Sequence, residues 1–102
     1  MICPQKTDVM NRDFELVVNA VAEVMDLRPS QILRKNRYQE TIDSRWLVVY
    51  LLNERGWYPP RIAEWMDMTP RNVNAILTSM HKRLSQDNAI GHKLEMVRKY
   101  LH

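Results

Sequence analysis

The chain has a single cysteine, Cys3, so no internal disulfide is open to it, and only two glycines, Gly56 and Gly91. Two glycines cannot furnish the loop that cradles a nucleotide's phosphates, and no Gly-Lys-Ser or Gly-Lys-Thr run is present; neither nucleotide binding nor hydrolysis is expected. The longest uninterrupted apolar run, at 46–52, has seven residues, against the roughly 20 of a bilayer-spanning helix, so no membrane association is expected. The opening residues MICPQKTD carry neither a basic n-region nor an apolar h-region, and a cytoplasmic location in a bacterium or phage-like setting is expected. His81, His92 and His102 lie eleven and ten residues apart without cysteines or paired acids around them, which is no metal-ligand spacing. The acids are scattered, and no nucleophile, base and orienting group can be assembled. No enzymatic activity and no cofactor are expected.

What is present is the composition of one ordinary globular domain over 1–102, with 45% hydrophobic and 26% charged residues. Residues 1–7 are expected to fray. The net charge of +3 is unevenly spread: residues 1–33 carry three bases and five acids, while 34–102 carry twelve bases and seven acids. Three of those bases are packed into Arg34, Lys35 and Arg37, a cluster to which a polyanion would be drawn.

Phe14, Val17, Val18, Val21 and Met25 repeat at the spacing of one helix face and predict a first helix over 8–26. Pro29, Ser30, Ile32 and Leu33 suggest a short second helical turn. The polar, basic, aperiodic stretch at 34–42 reads as a loop. A third, central helix then starts behind Asp43 as N-cap and runs through 46–52 to Gly56, which suits the left-handed position past a helix end. Pro60 launches a short fourth helix, with Trp57 and Tyr58 expected to pack over the core beside it. Thr69 and Pro70 open a fifth, in which Val73, Ile76, Leu77, Met80 and Leu84 form the buried stripe. Ile90, Leu94, Val97 and Leu101 give a sixth its apolar face. No strand is predicted, so the expected fold class is a compact all-α bundle of five to six helices.

The run PPRIAEWM, DMT, PRNVNAILTSMHKRL is a short helix, a three-residue turn and a longer helix, the plan of a helix-turn-helix. With the apolar stripe of the longer helix turned inward, Arg71, Ala75, Thr78 and Lys82 fall on its outer stripe, flanked by Asn72 and Asn74. These residue types suit a duplex: arginine donates twice to guanine, asparagine pairs with adenine, alanine allows close approach, and lysine reaches phosphate. Thr69 at the helix start and Arg61 in the preceding helix belong to the same candidate surface.

The segment AVAEVMDLRPSQILRKNRYQETIDSRWLVVYLLNE, followed by the last three helices, resembles the C-terminal DNA-binding domain of the bacterial replication initiator DnaA, a helix-turn-helix of the Trp-repressor-like class. The resemblance rests on VAE in the first helix, Leu33 closing the short turn, the basic loop RKNR, and SRWLVVYLL in the place of that family's Arg-led, Tyr-Leu-containing helix. It implies that Arg37 matches the loop arginine that enters the minor groove, Lys35 a basic loop position, and Arg45 an arginine that approaches phosphate. Physically, lysine and arginine neutralise phosphates, and a narrow minor groove favours arginine. The family's Gly-Gly-Arg-Asp-His-Thr-Thr-Val signature is replaced here by the residues from Asp67 to Val73, one residue shorter, so Thr69, Arg71, Asn72 and Asn74 are nominated by helical geometry alone.

The expected function is therefore sequence-preferring duplex DNA binding in replication control or transcription, by a monomer in preference to a dimer. Two alternatives stay open. One is an adaptor for a replication or regulatory protein that kept the fold without DNA, and the other is a dimeric repressor of the Trp-repressor type.

Overall fold

The computed structural model of the chain describes residues 4–34 and 38–101, with side chains described over 12–34 and 38–101. Among these are six α-helices and no strand: α1 (Pro4–Met25), α2 (Pro29–Leu33), α3 (Gln39–Glu54), α4 (Pro59–Met66), α5 (Pro70–Gln86) and α6 (Asn88–Leu101). No described helix is long and apolar enough to cross a membrane.

Helix α3 is the axis around which the others pack: it touches α1, α2, α4 and α5, while α6 closes against α1 and α5. Its central residues Leu47, Val48, Val49 and Leu52 have no exposed surface, and burying each such side chain stabilises the fold by about 1.5–3 kcal/mol. Val17, Val18 and Val21 of α1, Val73 and Met80 of α5, and Ile90, Leu94 and Val97 of α6 complete the core on the faces that their spacing indicates. Ile76, Leu77 and Leu84 sit half-buried at its margin.

Two boundaries differ from the sequence expectation. Helix α1 begins at Pro4, one turn before the expected start; Met1 to Cys3 of the expected frayed segment lie outside the described residues. Helix α3 begins at Gln39, so residues 39–42 of the expected loop are helical, and Tyr38, in extended conformation, takes the N-cap position expected for Asp43. The reason lies in the buried face of the first turns of α3. Thr41 and Ser44 are buried there, and the Ser44 hydroxyl donates to the Glu40 carbonyl at 2.7 Å. A helix stripe that starts with hydroxyl residues has no hydrophobic period to read. Asp43, inside the helix, accepts instead from the Gln39 amide at 2.9 Å and from Arg83 of α5 at 2.8 Å.

Helix ends are shaped alike. Gly56 (φ 99°), Asp26 (φ 57°) and Asp67 (φ 56°) adopt left-handed conformations just after α3, α1 and α4. The following amides then turn back: Trp57 N–H donates to Leu52 O at 3.1 Å, Leu27 to Ala22 at 3.0 Å and Met68 to Ala63 at 2.9 Å. Each adds a donor to a carbonyl of the last helical turn. Trp57 is buried as expected and meets Phe14 and Trp65 in an aromatic cluster, with Phe14 and Trp65 ring centroids 5.2 Å apart. Tyr58 is not: at 78% exposure it stands in solvent, because as the N-cap residue of α4 it points away from the face that Trp57 closes.

The cluster is pinned at its rim by Asp13, which accepts from Arg55 at 2.8 and 3.2 Å and from the Trp57 indole N–H at 3.3 Å. Hydrogen bonding from Arg55 is the main cause that holds the Asp13 carboxyl below its ordinary value of 3.8; partial burial opposes it, and Trp57 and the Arg55 charge add to it. A depressed folded-state value means that the stabilisation is complete above the unfolded value and is lost as pH falls through the folded one. Asp13→Asn is therefore expected to destabilise the protein at neutral pH, by at most about 1 kcal/mol for a pair this accessible, and to remove that part of the acid-induced loss below pH 3.8. Urea midpoints measured from pH 7 downward check it, and parallel curves for the two proteins would contradict it.

Candidate nucleic-acid interface

Helices α4 and α5 pack on each other across the turn at Asp67, Met68 and Thr69. Thr69 is the N-cap of α5: its hydroxyl accepts the Asn72 backbone N–H at 3.1 Å, and Pro70 takes the first helical position, where a missing N–H costs nothing. Because Pro70 has no N–H and that of Asn72 is taken, this helix start offers an anion few backbone donors. An anion held there would be held by side chains, and the Thr69 O–H is able to donate outward while its oxygen caps the helix.

Those side chains are presented. Arg71, Asn72, Asn74, Ala75, Thr78 and Lys82 are all exposed, so α5 shows solvent one continuous stripe of cationic, amide and small residues, with its apolar stripe turned inward. Arg34, after α2, is exposed as well; Arg61 on α4 is half-buried. Lys35 and Arg37, the two loop positions nominated alongside them, lie outside the described residues. Tyr38, which follows them, is an aromatic side chain 72% exposed.

Cations of the basic part of the chain fall into two groups. Arg55, Arg83 and Arg98 are engaged by their own protein: Arg55 with Asp13, Arg98 with Glu54 and Glu95, and Arg83 with Asp43 and Asp87 while its guanidinium lies 5.3 Å from the Trp46 ring centroid. The Asp43 hydrogen bond leads the causes that raise the Arg83 pKa, and the Glu54 hydrogen bond does so for Arg98. Arg34, Arg61, Arg71 and Lys82 form no ion pair among the described residues. Lys93 and Lys99 of α6 are likewise outside any ion pair among the described residues, so the positive charge left for a polyanion lies on α4, α5, α6 and at Arg34 after α2.

Arg45 belongs to neither group, and here the structure corrects the expectation of a phosphate contact. Its side chain is only 8% exposed. One terminal nitrogen donates to the Ile32 carbonyl of α2 and the other to the Met66 carbonyl of α4, each at 3.0 Å. The cause is its position: on α3 it follows buried Ser44 and faces the ends of two neighbouring helices, whose last turns present carbonyls at the negative end of the helix dipole. Burial pulls its pKa down and the charge of nearby Asp67 pulls it back, and an arginine remains protonated throughout. The consequence for the surface is direct. Ile32 lies two residues before Arg34, and Met66 lies immediately before the turn into α5, so one guanidinium holds the base of the basic loop beside the entry to the exposed helix.

A groove of about 440 Å³ at the base of that loop is lined by Leu27, Gln31, Arg34, Tyr38, Glu40 and Thr41. Glu40 offsets Arg34 within it, so for an anion the favourable side of Arg34 is the outer one. Among the described residues no group of three His, Cys, Asp or Glu side chains could hold a metal ion. No protein-family model matches the chain, and no curated protein sequence matches it.

Thr69→Ala is expected to lower unfolding stability by about 1 kcal/mol through loss of the cap, with Thr69→Ser close to wild type. Urea midpoints check this. An unchanged midpoint in Thr69→Ala would mean that the 3.1 Å bond to Asn72 N–H does not hold the helix start.

Proposed function

We propose that the chain binds double-stranded DNA as a helix-turn-helix module, with α5 in the major groove and the 34–38 loop in the adjacent minor groove. The observation that carries the reading is the single exposed stripe of α5, whose Arg71, Asn72, Asn74, Thr78 and Lys82 are held outward beside the base of a loop that opens with Arg34. A helix with its side chains is about 10–12 Å across, which matches a major groove of about 12 Å. Arg71 donates to guanine O6 and N7, and Asn72 or Asn74 pairs with adenine, while Ala75 lets the helix approach the bases. Lys82, Thr69, Arg61 and Arg34 neutralise or hydrogen-bond phosphates and set register without reading sequence. Lys35 and Arg37 extend the cationic surface along the loop, Arg37 into the minor groove, where negative potential is concentrated.

The resemblance to the DNA-binding domain of the replication initiator supports the same arrangement and suggests a cytoplasmic role in replication control or transcription. The role is one of binding, without catalysis, nucleotide or cofactor.

Selecting bound duplexes from a random pool at moderate salt tests binding and reads the site together. With about five phosphates neutralised, log K is expected to fall with log salt at a slope of about −4 to −5. Arg71→Ala is expected to lose about 1–3 kcal/mol and to relax preference at one base pair, whereas Lys82→Ala weakens all sequences alike and flattens the slope by about 1. Arg37→Ala is expected to weaken binding strongly. Failure to retain any duplex at low salt, or a slope of zero, contradicts the proposal; recovery of a specific protein partner by such a chain would leave the adaptor reading.

A further inference from the structure

We infer that Arg45 is the positioning residue of this DNA-binding surface: from inside the fold, its guanidinium fixes the spacing between Arg34, just past α2, and α5 by bridging the ends of α2 and α4. The inference rests on the DNA-binding reading and assigns to Arg45 a role different from a phosphate contact.

Three observations carry it. First, the acceptors are two carbonyls at 3.0 Å, one per terminal nitrogen, and they belong to the two segments that lead directly into the proposed DNA-facing elements. A planar fork with fixed donor directions can hold two acceptors at a set separation, which a single ammonium cannot do. Second, the two hydrogen bonds of the buried guanidinium go to two helix C-terminal ends, and the charge of Asp67, just past α4, adds to their compensation. Such a buried charge contributes little net stability compared with a well-packed apolar side chain, and the best-attested use of one is to set register. Third, with 8% of its surface exposed, Arg45 presents too little of itself to neutralise a phosphate, so any effect on DNA must pass through the segments it joins.

The loop and α5 must enter two grooves of one duplex at once, so the joint affinity depends on their separation being set before binding. Loosened, each would have to be ordered at the moment of contact, and affinity would fall by that cost. Helix α2 ends at Leu33 and α4 at Met66, and α3, on which Arg45 sits, is the element packed against both.

The test compares Arg45→Met and Arg45→Lys with wild type and with Val49→Ala, a core truncation on the same helix that leaves the bridge intact. Binding to a duplex recovered from the random pool is measured well below each variant's melting temperature, with helicity and tryptophan fluorescence confirming the folded state. Arg45→Met is expected to bind roughly tenfold more weakly than wild type, within the usual range for coupling between two segments. Arg45→Lys is expected to recover little of the loss, and Val49→Ala to bind as wild type does. In the absence of DNA, amide exchange in Arg45→Met is expected to quicken together at 32–34 and 66–69. Full affinity in Arg45→Lys overturns the inference in favour of a direct phosphate contact, since lysine neutralises a phosphate as arginine does. Affinity of folded Arg45→Met within about twofold of wild type overturns it as well. Wild-type protein that retains no duplex overturns the DNA reading and the positioning role with it, an outcome distinct from the other two. Should Arg45→Met fail to fold, Arg45→Lys against Val49→Ala decides: weaker binding by the lysine variant supports the inference, equal binding overturns it.

Discussion

A guanidinium buried among helix ends is the constraint on which the proposed interface depends. Arg45 reaches from the central helix α3 to the Ile32 and Met66 carbonyls, and those two atoms terminate the segments from which the basic loop and the exposed helix α5 depart. Helix packing alone fixes axes to within the tolerance of apolar contacts, which are non-directional. Two directed bonds from one rigid fork fix where two chain segments end. That bridge ties the end of α2, which Arg34 follows, to the end of α4, from which the chain turns into α5.

The other arginines make the surface legible by subtraction. Arg55, Arg83 and Arg98 are each drawn against acids of their own chain, and Arg83 also lies over Trp46. Pairs this accessible contribute little stability, individually about 0–1 kcal/mol, but they dispose of charge. Of the formal excess over 34–102, Arg34, Arg61, Arg71 and Lys82 remain outside any ion pair among the described residues, as do Lys93 and Lys99 of α6. The acids Asp13, Asp43, Glu54 and Asp87 thereby shape the cationic face from a distance.

The sequence made α4, its turn and α5 readable because local chemistry and periodicity agree there: Pro59, Pro60, Thr69 and Pro70 mark the starts, and the 3.6-residue period of Val73, Ile76, Leu77, Met80 and Leu84 is unbroken. Gly56 was readable for the same reason, since its φ of 99° favours the residue without a side chain. The start of α3 was not, because its buried positions are Thr41, Ser44 and Arg45, and a period written in hydroxyls and a charge is invisible to a search for apolar residues. The disposition of Arg45 followed from the same gap. Beside other bases it reads as one more surface cation, and only its burial at 8% and its two carbonyl partners separate it from Arg34 or Arg71. Local patterns thus marked where a helix begins and which stripe it buries, while the arginines' distant partners, 13 to 44 positions away, were set by tertiary packing.

The central claim is that the 34–38 loop and the outer stripe of α5 meet one duplex together. Titrating isotope-labelled protein with a duplex recovered by selection, and following its amide and side-chain resonances, tests this most directly. The account predicts that the signals of Arg34, Tyr38, Arg71, Asn72, Asn74 and Lys82 shift in a single concerted transition, while those of Leu16, Met96 and Tyr100 on the outer faces of α1 and α6 stay where they are. Shifts centred on α1 and α6, or on α5 with the loop unmoved, would contradict it.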